Sequence, residues 1–174
     1  KNRLAKLRAL MRCDAVLLAS GISTFYLTDF NFSDGYVLIT ADEAFLLTDF
    51  RYIEAAKKAA GADFKVLMFE GSHASQISSI LADARVSSLG YEDRALTCAQ
   101  LGELKRDFPL LNFEPVGGLV ENLREYKDEV EISRIEAAQR IAEKALEQTL
   151  AVITPELTER EAALELEYRM RKLG

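Results

Sequence analysis

His73 is the only histidine in the sequence, and it stands in the run Gly71-Ser72-His73-Ala74-Ser75 at a predicted helix start. A Ser-His-Asp hydrolase needs an imidazole as general base beside its nucleophile, and a dinuclear metal hydrolase needs several carboxylates and usually a histidine around its ions. Either chemistry would have to pass through this one side chain. Ser72 and Ser75 are more simply helix-start residues, and His73 reads as a solvated or capping group. Acids at predicted strand ends, Asp14, Asp49, Glu92 and Asp93, raise the alternative of a magnesium-holding cluster such as nucleases use. Against it, Asp49 reads as a helix cap and no basic groove for nucleic acid is visible. No Gly-x-Gly-x-x-Gly and no Walker loop is present, and Gly117-Gly118 reads as a turn. Cys13 and Cys98 lie far apart without metal-ligand spacing and read as buried free thiols of a reducing cytoplasm. On its own the chain reads as catalytically incomplete.

These residues need a scaffold, and composition supports one. The chain has 174 residues, 49% of them hydrophobic and 29% charged, which is enough for one domain of ordinary size with a short extension. A net charge of −6 repels phosphate backbones and anionic headgroups, so nucleic acid and membrane are not expected partners. No apolar run approaches the roughly 18 residues of a membrane span, and the amphipathic stretch from Lys1 to Arg12 is not a signal peptide. Lys1 in place of Met reads as a trimmed or tagged start.

Leu4, Leu7, Ala9, Leu10 and Met11 recur at near-helical spacing and predict a surface helix. Ala15 to Ala19 is a short apolar run that predicts a central strand buried on both faces. Tyr36 to Thr40 and Ala44 to Thr48 are joined by only Ala41-Asp42-Glu43, which forces an antiparallel hairpin. Helix and strand then alternate. A helix capped by Asp49 runs to Ala60 and stops at Gly61. A strand follows over Phe64 to Phe69, a helix with Ile77, Ile80, Leu81 and Ala84 inward, and a strand over Ser87 to Tyr91. Thr97 and Gln100 have capping-box form and launch a helix that Pro109 ends, before a last strand over Leu111 to Glu114. The order predicts an α/β fold, a mixed sheet with flanking helices.

From Lys127 the texture changes. Ile132, Ile135, Ala138, Ile141, Ala145, Thr149 and Val152 form one stripe along about 40 Å of helix. Thr154-Pro155 breaks it, and the Thr158/Glu161 capping box opens a second helix with Ala163, Leu166, Met170 and Leu173 inward. A hairpin with one apolar stripe on each arm needs something to pack on.

Four segments in order carry a family resemblance. Tyr26-Leu27-Thr28-Asp29-Phe30 resembles the Tyr-Leu-Thr-Gly-Phe segment of the prolidase, Xaa-Pro aminopeptidase and creatinase family. Gly35 to Thr40 followed by Leu47-Thr48-Asp49-Phe50-Arg51-Tyr52-Ile53-Glu54-Ala55-Ala56 is similar to its strand and "L-T-D-x-R-Y-x-E-x-A" block. Leu123-Arg124, Lys127 and Glu131-Ile132 resemble the linker and first helix of its second domain, and Thr154-Pro155 with Leu157-Thr158-Glu159 resembles the corner that follows, with Glu156 where the family has Gly.

The resemblance implies a ribonuclease-H-like N-terminal domain over residues 1–123. Residues 124–174 are then the linker and first two helices of a "pita-bread" catalytic domain. The parent would hydrolyse the peptide bond before proline with two divalent metals, Mn, Co or Zn, held by two Asp, one His and two Glu. Those ligands are expected beyond Gly174, so this chain is expected to hold no metal and to be inactive alone. The family further implies a cytoplasmic homodimer acting on proline-containing peptides, with dimer contacts through the N-terminal domain. The resemblance also implies that the loop after the Tyr-Leu-Thr-Gly-Phe segment can approach a partner's active site. That loop is 29–34 here, which makes Asp29, Asn31 and Asp34, with Arg51 and Tyr52, the substrate-pocket candidates. Asp29 stands where Gly is usual, a costlier choice if the turn needs positive φ. Arg51 also reads as a local ion-pair partner of Asp49, and Tyr26 and Tyr52 as half-buried aromatics with hydroxyl partners. The rival readings are a peptidase-like interaction module without metals and a creatinase-like amidinohydrolase.

Overall fold

A computed structural model describes residues 3–70 and 73–174; Lys1, Gly71 and Ser72 of the sequence reading lie outside the described residues. Contacts divide the chain into a unit over 1–125 and a unit over 126–174.

The first unit is a six-stranded sheet in the order β4-β3-β2-β1-β5-β6. Its strands are β1 (Ala15–Leu18), β2 (Gly35–Thr40), β3 (Ala44–Thr48), β4 (Lys65–Met68), β5 (Ser88–Tyr91) and β6 (Asn112–Pro115). Only β2 runs against the others: it is antiparallel to β1 and β3, while β3/β4, β1/β5 and β5/β6 pair in parallel. The short hairpin imposes that reversal, as its three-residue connection requires. All four residues of β1 are fully buried, as the apolar run predicts.

Alternation along the strands builds two cores, one on each face. Val16, Leu18, Val37, Ile39 and Leu46 pack under α1 (Arg3–Leu10), α2 (Gly21–Thr28), α3 (Ile53–Ala59) and α6 (Leu119–Glu125), which contribute Leu7, Tyr26, Ala56 and Val120. Leu17, Leu38, Phe45, Leu47 and Leu89 pack under α4 (His73–Asp83) and α5 (Cys98–Asp107), with Ile77, Leu81 and Phe108. The result is helix, sheet and helix in three layers.

Some local expectations change. Asp49 does not cap α3: its carboxylate accepts the Arg51 N–H at 2.8 Å in a tight turn, and the helix begins four residues later with Tyr52 at its N-cap position. A carboxylate bonding two residues ahead favours such a turn over a helix start. Cys98 is exposed because it opens α5 just after the Thr97 cap, and only Cys13 is partly buried. The four strand-end acids do not cluster. Asp14 precedes β1, whereas Asp49, Glu92 and Asp93 follow β3 and β5 at the opposite end of the sheet.

Two of these acids clasp the β1–β5 pair. The Asp14 carboxylate accepts the Ser87 and Ser88 N–H groups at 2.8 and 2.9 Å and the Ser87 hydroxyl at 2.6 Å. At the other end buried Glu92 accepts the Ala19 and Ser20 N–H groups at 2.7 and 2.8 Å. Both outer strands are partly occupied along their free sides. Asn112 at the start of β6 and Val116 just past its end donate inward to the Ser87 and Tyr91 carbonyls, so by alternation Pro115, which has no N–H, faces outward. Just past β4, Phe69 donates inward to Thr48, and the outward Met68 carbonyl accepts the Gln76 side-chain amide at 3.1 Å.

The second unit is a helical hairpin of α7 (Glu129–Leu150) and α8 (Glu159–Leu173). Asp128 with Glu131 and Thr158 with Glu161 form complete capping boxes. In this unit Ala145 and Thr149 are buried, while Ile132 and Ile135 at the start of the stripe are 46% and 56% exposed. Among the described residues no helix is long and apolar enough to cross a membrane.

The hydrogen bonds from Ser87 and Ser88 lower the Asp14 carboxyl from the ordinary 3.8 to about 2. A depressed folded-state value adds stability above about pH 4 that is lost as pH falls through 2. Asp14→Ala is expected to remove about 1 kcal/mol at neutral pH, the small size reflecting solvent screening, and to flatten the acid limb of stability. Urea unfolding at pH 7 and pH 2.5 measures both.

Candidate functional site

Because β2 alone is reversed, the start of β2 lies beside the carboxyl ends of the five parallel strands. Ligands of open α/β sheets gather at that rim. Here it carries the loop over 29–34, the turn over 49–52 and the start of α4.

Ser20 caps α2, and the helix ends at Asp29, whose φ of 52° and ψ of 20° are left-handed. The turn therefore keeps the conformation that glycine serves best, and Asp adopts it at modest cost. Asp29 faces back toward α1, with Arg3 at 3.6 Å, and Arg3 also lies over the Tyr26 ring. Gly35 closes the loop at φ +150°, where a Cβ would stand 2.1 Å from the Leu47 carbonyl oxygen and 2.9 Å from the Phe32 ring.

Between these ends the loop is tied to the 49–52 turn. One Arg51 amino nitrogen donates to Asp34 at 2.7 Å while Nε donates to Asp49 at 2.9 Å. Ser33 donates to Asp34 at 2.9 Å and lies 3.0 Å from the Tyr52 hydroxyl. Beneath this polar layer Phe30 stacks on Phe32 at 5.7 Å and meets Tyr52 edge-on at 6.3 Å. Ser33 and Arg51 hold both acids below the usual carboxylate range: the Ser33 hydroxyl leads at Asp34, the Arg51 guanidinium at Asp49. Arg51 is in turn held fully charged by its two carboxylates.

Of the candidate residues, Asp34, Arg51 and Tyr52 come together in this network. Asp29 turns to the α1 side, and Asn31 is exposed between the two aromatic rings in sequence. Sequence reasoning missed Ser33, Phe30 and Phe32 as the network's other members; alternation of aromatic and polar residues across 30–34 was the available signal. The expected Arg51–Asp49 pair is present, and Tyr52 has the hydroxyl partner expected of it. Tyr26, which is buried rather than half-buried, donates its hydroxyl to the Leu123 carbonyl at 3.3 Å. His73 is exposed at the start of α4, its ring stacked on Phe69 at 3.7 Å. Among the described residues no three His, Cys, Asp or Glu side chains converge closely enough to hold a metal ion, so they do not fit a metal centre.

A sheet with one reversed strand between two helix layers, and a tied loop at its carboxyl rim, defines a mixed α/β domain. Residues 3–126 match the creatinase/prolidase N-terminal domain, and the chain belongs to that family. It is similar to the uncharacterized peptidase YqhT of Bacillus subtilis, at 31% identity over 99% of this chain and 49% of that protein. It is similar in structure to the Xaa-Pro dipeptidase from Bacillus anthracis, with a TM-score of 0.92 and 34% identity over 99% of this chain and 49% of that one. The N-terminal domain of cytoplasmic peptidase PepQ from Mycobacterium tuberculosis matches 70% of this chain over 97% of its own length, with a TM-score of 0.62 and 30% identity. The chain spans about half the length of the curated relatives it matches.

Arg51→Gln is expected to release both carboxylates toward ordinary titration and to speed amide exchange at Ser33 and Asp34. In the native chain the two acids, with values below the usual range, add stability above their unfolded titration that is lost as pH falls through the depressed values. Carboxyl NMR titration of the native and Arg51→Gln chains checks this. Gly35→Ala is expected to cost about 2–4 kcal/mol in urea unfolding, since positive φ and a blocked Cβ act together.

Proposed function

We propose that this chain is the N-terminal region of a metal-dependent Xaa-Pro aminopeptidase or dipeptidase that hydrolyses the peptide bond before proline. Residues 1–123 form its oligomerisation and substrate-pocket domain, and 124–174 the linker and first two helices of the hydrolytic domain. The likeness to a named Xaa-Pro dipeptidase across 99% of this chain carries the reading. The protein works in the cytoplasm as a homodimer on proline-containing peptides. Two divalent ions, Mn, Co or Zn, supply the Lewis acidity and the hydroxide when bound. The described residues provide no ligand set for them.

What these residues contribute is shape and charge. The rim loop, braced by Arg51 and floored by three aromatic rings, is a preformed wall from which Asn31 and the carboxylate of Asp34 face outward. A wall already ordered before substrate arrives loses little entropy on binding. Asp29, Arg51 and Tyr52 act as its braces.

The full-length gene product is expected to cleave Xaa-Pro dipeptides when loaded with Mn²⁺ or Co²⁺, and absence of turnover would sink the peptidase assignment. Asn31→Ala in that protein is expected to raise KM about two- to tenfold with kcat little changed, the signature of lost binding contacts rather than lost chemistry. An unchanged KM would remove the loop from the substrate pocket.

A further inference from the structure

On the α4/α5 side of the sheet, a cavity of about 140 Å³ opens above the first residues of β2 and belongs neither to the rim loop nor to its ion pairs. Tyr36, His73, Gln100, Glu103 and Asp107 provide its polar lining. We propose that this cavity is a second ligand site, one that takes the head of an organic ammonium ion.

The sign of the charge is the first argument. Two carboxylates line the cavity and no lysine or arginine does. Glu103 is only loosely engaged: Arg106 lies 3.9 Å away on the same helix, and both side chains are mostly exposed. Burial, and after it the nearby Glu103 carboxylate, pushes the Tyr36 phenol above its ordinary value. Gln100 adds no charge, and its carbonyl oxygen is committed to the Thr97 cap.

The walls are the second argument. Tyr36 and His73 meet edge-on at 6.4 Å and, with Phe108, put three rings in the lining of the cavity. Aromatic faces attract soft, weakly hydrated cations, and do so best where carboxylates add to their potential. A bare metal ion is a poorer match, because among the described residues no three metal-ligating side chains converge. The volume suits a small alkylammonium head rather than a whole peptide.

Ethylammonium chloride titrated into the ¹⁵N-labelled 174-residue chain is expected to shift the Tyr36, His73 and Glu103 signals saturably. Sodium chloride and sodium propionate at equal ionic strength should not. Glu103→Gln is expected to weaken binding about fivefold or more, and Glu121→Gln, outside the cavity, to leave it unchanged. Glu103 is exposed on a helix, so the variant should keep the native spectrum elsewhere. Shifts that never saturate, equal shifts with sodium chloride, or equal affinity in Glu103→Gln would overturn the proposal.

Discussion

The parallel contact between β1 and β5 joins residues more than seventy positions apart, and the sheet exists as one body only because that contact holds. On one side of it lies the locally built β2–β3 hairpin with β4; on the other lie β5 and β6. Closing so long a loop costs entropy before any strand bond offsets it. The chain fixes the pairing at both ends with carboxylates of opposite provenance, Asp14 reaching from the β1 side and Glu92 from the β5 side. Each satisfies backbone N–H groups that would otherwise end the ladder unpaired. Gly90, between them, keeps the strands and Cys13 close, since a Cβ there would meet the Cys13 sulfur at 2.7 Å.

From that contact the rim follows. Reversal of β2 brings the 29–34 loop alongside the turn after β3, and the two are then stitched by one guanidinium shared between Asp34 and Asp49. The arrangement is polar above and aromatic below, so that water screens the ion pairs while the Phe30, Phe32 and Tyr52 rings supply a contact that salt does not weaken.

Much of this was legible in the sequence because it is local. The three-residue connection at 41–43 dictated the hairpin, the apolar run at 15–19 announced a strand buried on both faces, and Thr97 and Thr158 marked their helices through side chains only three residues away. The Arg51–Asp49 pair was readable for the same reason. What escaped depends on distant partners or on competing local bonds. Asp49 has the chemistry of both a helix cap and a turn former, and the ion pair with Arg51 decides for the turn. The segment 21–28 is rich in β-branched and aromatic residues, yet Ser20 and Glu92 hold its first turn and make it a helix. The Asp128 box and the short α6 went unread among the charges of 121–131. Asp34 meets Arg51 across seventeen residues, a distance no spacing rule encodes.

The treatment of the outer strands bears on how this domain survives at high concentration. An open strand margin is a template on which another chain can add, the first step toward fibrous aggregation. Pro115 leaves a missing donor on one margin, and Gln76 occupies an acceptor on the other. Growth of the sheet by an incoming strand therefore meets a gap at one side and a competitor at the other. Encounters between copies are directed instead to side-chain surfaces, where charge and shape can discriminate among partners.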